Sequence, residues 1–263
     1  MSYTVITCAD ANFFHFLPAQ ERNINRKHGA FPVIYDLGLT RRQVTRLQST
    51  VSPITPPEGY NENVPGGAIR TSHKPSCILD CMERYERDVL YVDADVVMMA
   101  PLPSGCFAGS DVALTPRHPN EMRSSNPYSN GTINAGVLYF ANTTAVRELL
   151  KKWDARCAQG VESDQKALSE LLSDADLTGD WEDATAEGLT IRKLDARLFN
   201  DVGTNTGYLW HFKNAGRRFH KKRRWWNAVL RERFMPKRIM RQITIRQAAL
   251  LKLKPNKENE HAV

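Results

Sequence analysis

The sequence predicts an α/β protein, with a single mixed, mostly parallel sheet flanked by helices and a basic helical tail behind it. Three observations carry that expectation. Short apolar runs bounded by turn residues alternate with amphipathic helical patterns, the arrangement of sheets built from strand–helix–strand units. Several of those runs are apolar throughout, as strands covered on both faces require. The charge is divided unevenly: residues 217–254 hold 14 Lys and Arg against one acid, Glu232, a net of +13. Residues 255–263 carry −1, which leaves −5 on residues 1–216 out of a total of +7.

In chain order, "YTVITCA" (3–9) opens the sheet, and "AQERNINRKHG" (19–29) follows as a helix. "FPVIYDLG" (31–38) is the second strand. "VSPITPPEGYNENVPGG" (51–67) is a Pro/Gly-rich loop, long enough to serve a function rather than a simple connection. "KPSCILDCMERYER" (74–87) reads as a helix with Pro75 in its first turn, where the missing N–H costs nothing. Strands are expected at "VLYVDADVV" (89–97), "DVALTPR" (111–117) and "INAGVLYFA" (133–141). In "TTAVRELLKKWDARC", Val146, Leu149, Leu150, Trp153 and Cys157 share one helical face, with Thr143 or Thr144 as the cap. "ESDQKALSELL" is a second such helix, capped by Ser163, with Leu168, Leu171 and Leu172 facing inward. "LTIRKLD" (189–195) and "GYLWHF" (207–212) supply the last strands.

A composition of 41% apolar and 25% charged residues is that of an ordinary globular chain. No run of 18 apolar residues marks a spanning helix, and "MSYTVITCADANFF" reads as a strand rather than a signal peptide. Cys8, Cys77, Cys81, Cys106 and Cys157 form an odd, scattered set without a CxxC pair, which points to reduced thiols in the cytoplasm. "NGT" (130–132) and "NTT" (142–144) match the glycosylation acceptor pattern, which has no meaning in a chain that is not secreted.

Sheets of this kind bind ligands beyond the carboxyl ends of their strands. The polar residues there are "ADAN" after the first strand, "DAD" in the third and His211 near the last. Residues i and i+2 of a strand share a face, so Asp93 and Asp95 are expected to converge on one object. Two such carboxylates raise each other's pKa unless a cation compensates, and hard oxygen ligands suit Mg²⁺ or Mn²⁺. D-x-D alone also fits a solvated loop-edge pair. The apolar "VLYV" and "VVMMAPL" around it argue for a poorly solvated position, where a cation is needed.

"VLYVDADVVMMAPL" resembles the D-x-D segment of GT-A-fold glycosyltransferases. "INAGVLYF", "SDQKAL" and "HFKNAGR" follow in the order seen in the family 8-like group, which includes galactosyltransferases and glycogenin. "VIYDLGL" and "HKP" are also typical of these nucleotide-diphospho-sugar transferases, and the likeness spans most of residues 3–216. The resemblance implies that Asp93, Asp95 and His211 bind Mn²⁺ or Mg²⁺, and a neutral imidazole is an ordinary ligand for such a metal. It places Ala9, Asp10 and Asn12 at the uridine. Lys74, Ala94, Lys213 and Gly216 fall near the donor, with Arg217 a further candidate for the diphosphate. Asn134, Asp164 and Gln165 match catalytic positions facing the donor sugar. Read by itself, Asp164 equally opens a helix, where acids complement the dipole. The chain departs from the family at Asn214, where a Gly is usual, and at "RRFHKK", where Lys-Pro is usual.

The expected organisation is a transferase domain over 1–216, a basic amphipathic tail over 217–254 and a disordered end over 255–263. The tail's apolar stripes, Trp225, Trp226, Val229, Leu230 and Phe234, then Ile239, Met240, Ile243, Leu250 and Leu251, break at Pro236. Paired tryptophans among Lys and Arg fit a helix in an anionic bilayer interface. Docking of the stripe on the domain and a nucleic-acid patch are the competing readings, and no nucleic acid is expected. The function expected is a metal-dependent, retaining hexosyltransferase with a UDP-sugar donor and a glycan or lipid-linked acceptor. It would act in surface polysaccharide synthesis, in the cytoplasm on the inner face of a bacterial plasma membrane. Two alternatives stand beside it. One is a non-catalytic binding protein that uses its basic tail. The other is a nucleotidyltransferase, which "CADANFFHF" disfavours because it lacks a Gly-rich basic loop.

Overall fold

The computed structural model describes residues 3–55, 72–117, 131–159, 163–175, 177, 183–213 and 219–252. β1 (Tyr3–Ala9), α1 (Leu17–His28) and β2 (Val33–Asp36) come first, followed by α2 (Arg41–Val44) and β3 (Val51–Pro53). α3 (Lys74–Tyr85) leads into β4 (Asp88–Val92), β5 (Val96–Met98) and β6 (Val112–Pro116). β7 (Ile133–Phe140), α4 (Thr144–Ala158), α5 (Asp164–Leu171), β8 (Ala184–Ala186) and β9 (Leu189–Lys193) follow. The chain closes with α6 (Ala196–Phe199), β10 (Leu209–His211), α7 (Phe219–Phe234) and α8 (Pro236–Lys252).

Eight strands form one large sheet in the order β3-β2-β1-β4-β7-β6-β9-β8, with β7 and β8 running against the other six. Successive side chains of its central strands go to opposite faces. Ile6, Tyr91 and Leu138 pack on the side of α3, α4 and α5. Their neighbours Val5, Leu90 and Val137 pack on the side of α1, α7 and α8. The helices expected from sequence are present with their caps: Thr143 accepts from the N–H of Val146, and Ser163 from that of Lys166. Pro75 sits in the first turn of α3.

Two strands depart from expectation: Val51–Pro53, the start of the expected loop over 51–67, is the edge strand β3, and residues 56–67 of that loop lie outside those described. The run over 89–97 is two strands, because β5 turns away from the large sheet and pairs antiparallel with β10 in a second, two-stranded sheet. α1 holds it there. Asn23 Nδ2 donates to the carbonyl of Met98 at 2.9 Å and its Oδ1 accepts from the Met98 N–H at 2.8 Å. Such a bidentate pair satisfies β5 backbone groups that β10 leaves unmatched.

The basic tail is divided by Pro236, as expected, and lies on the body. Trp225 is fully buried, its ring 4.7 Å from that of Phe16, and Ile239 and Ile243 join the same apolar cluster. Glu232 pairs with Arg26 at 2.5 Å and Lys27 at 2.8 Å, in the last turn of α1. The other half of the expected stripe points outward: Trp226, Leu230, Phe234 and Met240 are exposed, Phe234 to 71%. The side chains of Leu250 and Leu251 lie outside those described, as do residues 255–263. Among the described residues, no helix is long and apolar enough to cross a membrane. All five thiols are free.

Candidate active site

Residues 93–95 form a turn between β4 and β5, not a continuous strand. The Val96 N–H donates to the carbonyl of Asp93 at 3.0 Å, and Gln20 of α1 donates to the same carbonyl at 2.8 Å. Ala94 anchors the turn by packing among Ala9, Leu17 and Ile34. Asp93 and Asp95 therefore converge because the chain reverses around a buried alanine, rather than through the period of a strand.

His211 reaches them through the small sheet, where it lies opposite Val96. Its Nε2 stands 3.3 Å from Asp95 Oδ1 and 3.5 Å from Asp93 Oδ2. One ligand atom from each of the three lies within 4.8 Å of the others, and among the described residues this is the one such cluster of His, Cys, Asp or Glu. On its far side, His211 Nδ1 is 2.8 Å from Asn200 Oδ1. Asp95 and His211 are buried and Asp93 is partly open, so the cluster has a dry floor and an accessible mouth.

"NAGV" proves to be a β-bulge. Between Leu114 and Thr115, β6 advances one residue while its partners on β7 pass from Leu138 to Asn134. Residues 135–137 are thus released from the β6 ladder, and their backbone groups need other partners. The site residues supply them. Asn134 Oδ1 accepts from Gly136 N at 3.1 Å, and Gln165 Oε1 from Ala135 N at 3.4 Å. Lys74 Nζ donates to the carbonyl of Ala135 at 3.0 Å, and the Asp93 N–H to that of Gly136 at 2.9 Å. The bulge carries Gly136 against the imidazole: a Cβ there would lie 2.2 Å from His211 Cε1 and 3.0 Å from Asp93 Oδ2.

Lys74 ties the two acidic positions together. Its ammonium sits 2.8 Å from Asp164 Oδ2 and 3.1 Å from Asp93 Oδ1, over the face of Tyr91. Burial alone would lower the pKa of this lysine, but the charges of Asp164 and Asp93 outweigh it and hold it raised. Burial likewise pushes Asp93 up, and Lys74 and His211 pull it below the ordinary carboxylate value. The Tyr91 hydroxyl donates to Asp93 at 2.9 Å.

Seven expected site residues, Lys74, Asp93, Asp95, Asn134, Asp164, Gln165 and His211, therefore meet around β4, the bulge and β10. Others stand apart from that cluster. Asp10 accepts from the N–H groups of Asn12 and Phe13, closing the turn after β1, and Asn12 is exposed. Ala9 and Ala94 bury their methyl groups, so any contact they make with a ligand is through backbone. Lys213 lies just past β10, half-buried, and Asn214, Gly216 and Arg217 lie outside the described residues. Sequence reasoning passed over Gln20, Thr115, Gly136 and Asn200. Gly136 had a signal, a glycine inside a strand pattern, which marks a bulge or a close approach. The other three are single polar residues whose role depends on distant partners.

The family model described as nucleotide-diphospho-sugar transferase matches residues 74–229. Among solved structures, the fold is similar to that of the galactosyltransferase LgtC in complex with donor and acceptor sugar analogs. The TM-score is 0.53 at 12% identity, over 86% of this chain and 95% of that one. A glycosyltransferase involved in glycosylation of the major capsid of PBCV-1 is similar at TM-score 0.53 and 11% identity, over 85% of this chain and all of that one. No curated protein matches the sequence at a significant level.

Proposed function

The chain belongs to the nucleotide-diphospho-sugar transferase family and is a glycosyltransferase of GT-A fold, and on that premise we propose that it is metal-dependent and uses a UDP-sugar. The observation that carries the metal is the facing of acceptors. Asn200 Nδ2 donates to Thr115 Oγ1 at 2.9 Å and is 3.5 Å from the Asn134 carbonyl, which only accepts. Asn200 Oδ1 is therefore the atom toward His211, and His211 Nδ1 is the donor. In the neutral ring, Nε2 then presents a lone pair to two carboxylates. That is unfavourable until a proton on Nε2 or a bound cation stands between them, and two carboxylate oxygens with one imidazole suit Mn²⁺ or Mg²⁺.

Bound there, a divalent cation would neutralise the charge that develops on the departing nucleoside diphosphate. The chain's own residues do the rest. Asp93, Asp95 and His211 hold the charge, and Lys74 orients Asp164 beside it. Asp164 is the carboxylate we assign to stabilising positive character at the anomeric carbon. Asn134 and Gln165 fix the bulge that forms the floor, and both are assigned to face the donor sugar. Asp10, Asn12 and the backbone at Ala9 and Ala94 are assigned to the nucleoside, and Lys213, with Gly216 beyond it, to the diphosphate. Transfer is proposed to retain configuration.

The acceptor is proposed to be a glycan or a lipid-linked sugar at the inner face of a bacterial plasma membrane. Support comes from the outer face of the tail, where Trp226, Leu230, Phe234 and Met240 stand among Arg223, Arg224, Arg233 and Arg241. Each basic residue near an anionic surface contributes about 1 kcal/mol. Thermal-shift measurements with UDP-sugars, with and without Mn²⁺, test the central reading, followed by hydrolysis assays on the best binder. Stabilisation that requires both ligands together is expected. Nucleotide-sugar binding indifferent to Mn²⁺ and Mg²⁺ would count against it.

A further inference from the structure

We propose that Asn200 is a positioning residue for this site: its amide oxygen locks His211 in the tautomer that turns Nε2 toward Asp93 and Asp95. The inference rests on the metal reading above and names a residue outside the ligand set.

Asn200 is almost fully buried, and its amide is read from both ends. The nitrogen meets Thr115 and the Asn134 carbonyl, so a flipped amide would set its oxygen against that carbonyl. The oxygen is left for His211 Nδ1 at 2.8 Å. The backbone ties the two residues together as well. At the C-terminal end of α6, Asn200 N donates to the carbonyl of Ala196, the first residue of that helix, which Asp195 caps. The next residue, Asp201, bridges to Trp210, and its carbonyl accepts from the His211 N–H at 2.9 Å. Asp201 also gathers the N–H groups of Gly203, Thr204, Thr206 and Gly207 onto one buried carboxylate. Asn200 and His211 are thus two sides of one rigid loop, and Thr115 on β6 ties that loop to the bulge. A ligating imidazole whose second nitrogen is held by an acceptor is both oriented and made a better donor.

The test uses the full chain and Mn²⁺ alone, with the free-ion electron paramagnetic resonance signal as the readout. Asn200→Leu removes the acceptor at similar size and is expected to weaken Mn²⁺ binding by about 10- to 100-fold. Asn200→Asp keeps an oxygen toward Nδ1 but sets its second oxygen against the Asn134 carbonyl, so it is expected to lose clearly less Mn²⁺ affinity than the Leu variant. A second measurement needs no variant: in ¹⁵N-histidine-labelled, Mg²⁺-loaded protein, His211 should carry its proton on Nδ1. Wild-type Mn²⁺ affinity in the Leu variant, an equal loss in the Asp variant, or a proton on Nε2 would overturn the assignment while leaving the metal site intact. Failure of the wild type to bind Mn²⁺ would instead remove the metal reading, and this inference with it.

Discussion

Gly136 and His211 lie closer than any side chain at position 136 would permit, with an added methyl only 2.2 Å from the imidazole. The glycine is required by its neighbour rather than by its backbone, since it is not among the residues with positive φ. Gly136→Ala is expected to push His211 from Asp93 and Asp95 and to weaken Mn²⁺ binding by about tenfold or more. Titration with Mn²⁺ against wild type checks this, and an unchanged affinity would show that the ring has room to yield.

The ligands themselves make a sharper case. Asp95→Asn and His211→Ala should each abolish metal-dependent transfer while the far-ultraviolet circular dichroism stays that of the wild type. Full activity in either variant, still dependent on metal, would sink the three-ligand site.

Lys74→Met leaves the buried Asp164 and the partly open Asp93 without their shared cation. Breaking such a pair typically costs about 3–5 kcal/mol. Denaturant unfolding should show that loss, and Asp164→Asn in the same chain should restore part of it. Additive losses in the double variant would mean that the two groups do not interact.

Glu232 carries a pH signature. Burial raises its pKa, but Arg26 and Lys27 outweigh that and hold it below the ordinary carboxylate value. A depressed folded-state pKa contributes stability above the unfolded value, and that contribution fades as pH falls through the folded one. Glu232→Gln should therefore be less stable than wild type at neutral pH, by about 2 kcal/mol. The gap should close as the medium is acidified below pH 4.5, the ordinary value for the group. A gap that persists in acid would assign the effect to packing.

Adjacent tryptophans on α7 should behave oppositely. Trp225→Ala empties a buried site and is expected to cost about 3–5 kcal/mol. Trp226→Ala should leave stability within about 0.5 kcal/mol, as exposed positions do. The same change should reduce pelleting with anionic vesicles at low salt and leave neutral vesicles unaffected. Equal pelleting with both lipid types, or insensitivity to salt, would remove the membrane face from the proposal.

Residues near in sequence decided what the chain could state about itself. The phase of Val146, Leu149, Leu150 and Trp153, the caps Thr143 and Ser163, Pro75 in a first turn and the break at Pro236 are written within a few residues. The ordered motifs likewise carry Asp93, Asp95, Asn134, Asp164 and His211 in short local stretches. Tertiary structure alone decided how these groups meet. Asp93 and Asp95 converge through a turn anchored by Ala94, His211 arrives by pairing β10 with β5, and "NAGV" swells into a bulge that Lys74, Asn134 and Gln165 must satisfy. It also chose which half of the tail's apolar surface is buried and which faces outward. The division has one physical cause. Periodicity and capping are local and repeat along the chain, whereas a backbone group released from its ladder takes whichever partner the folded chain brings within hydrogen-bonding reach.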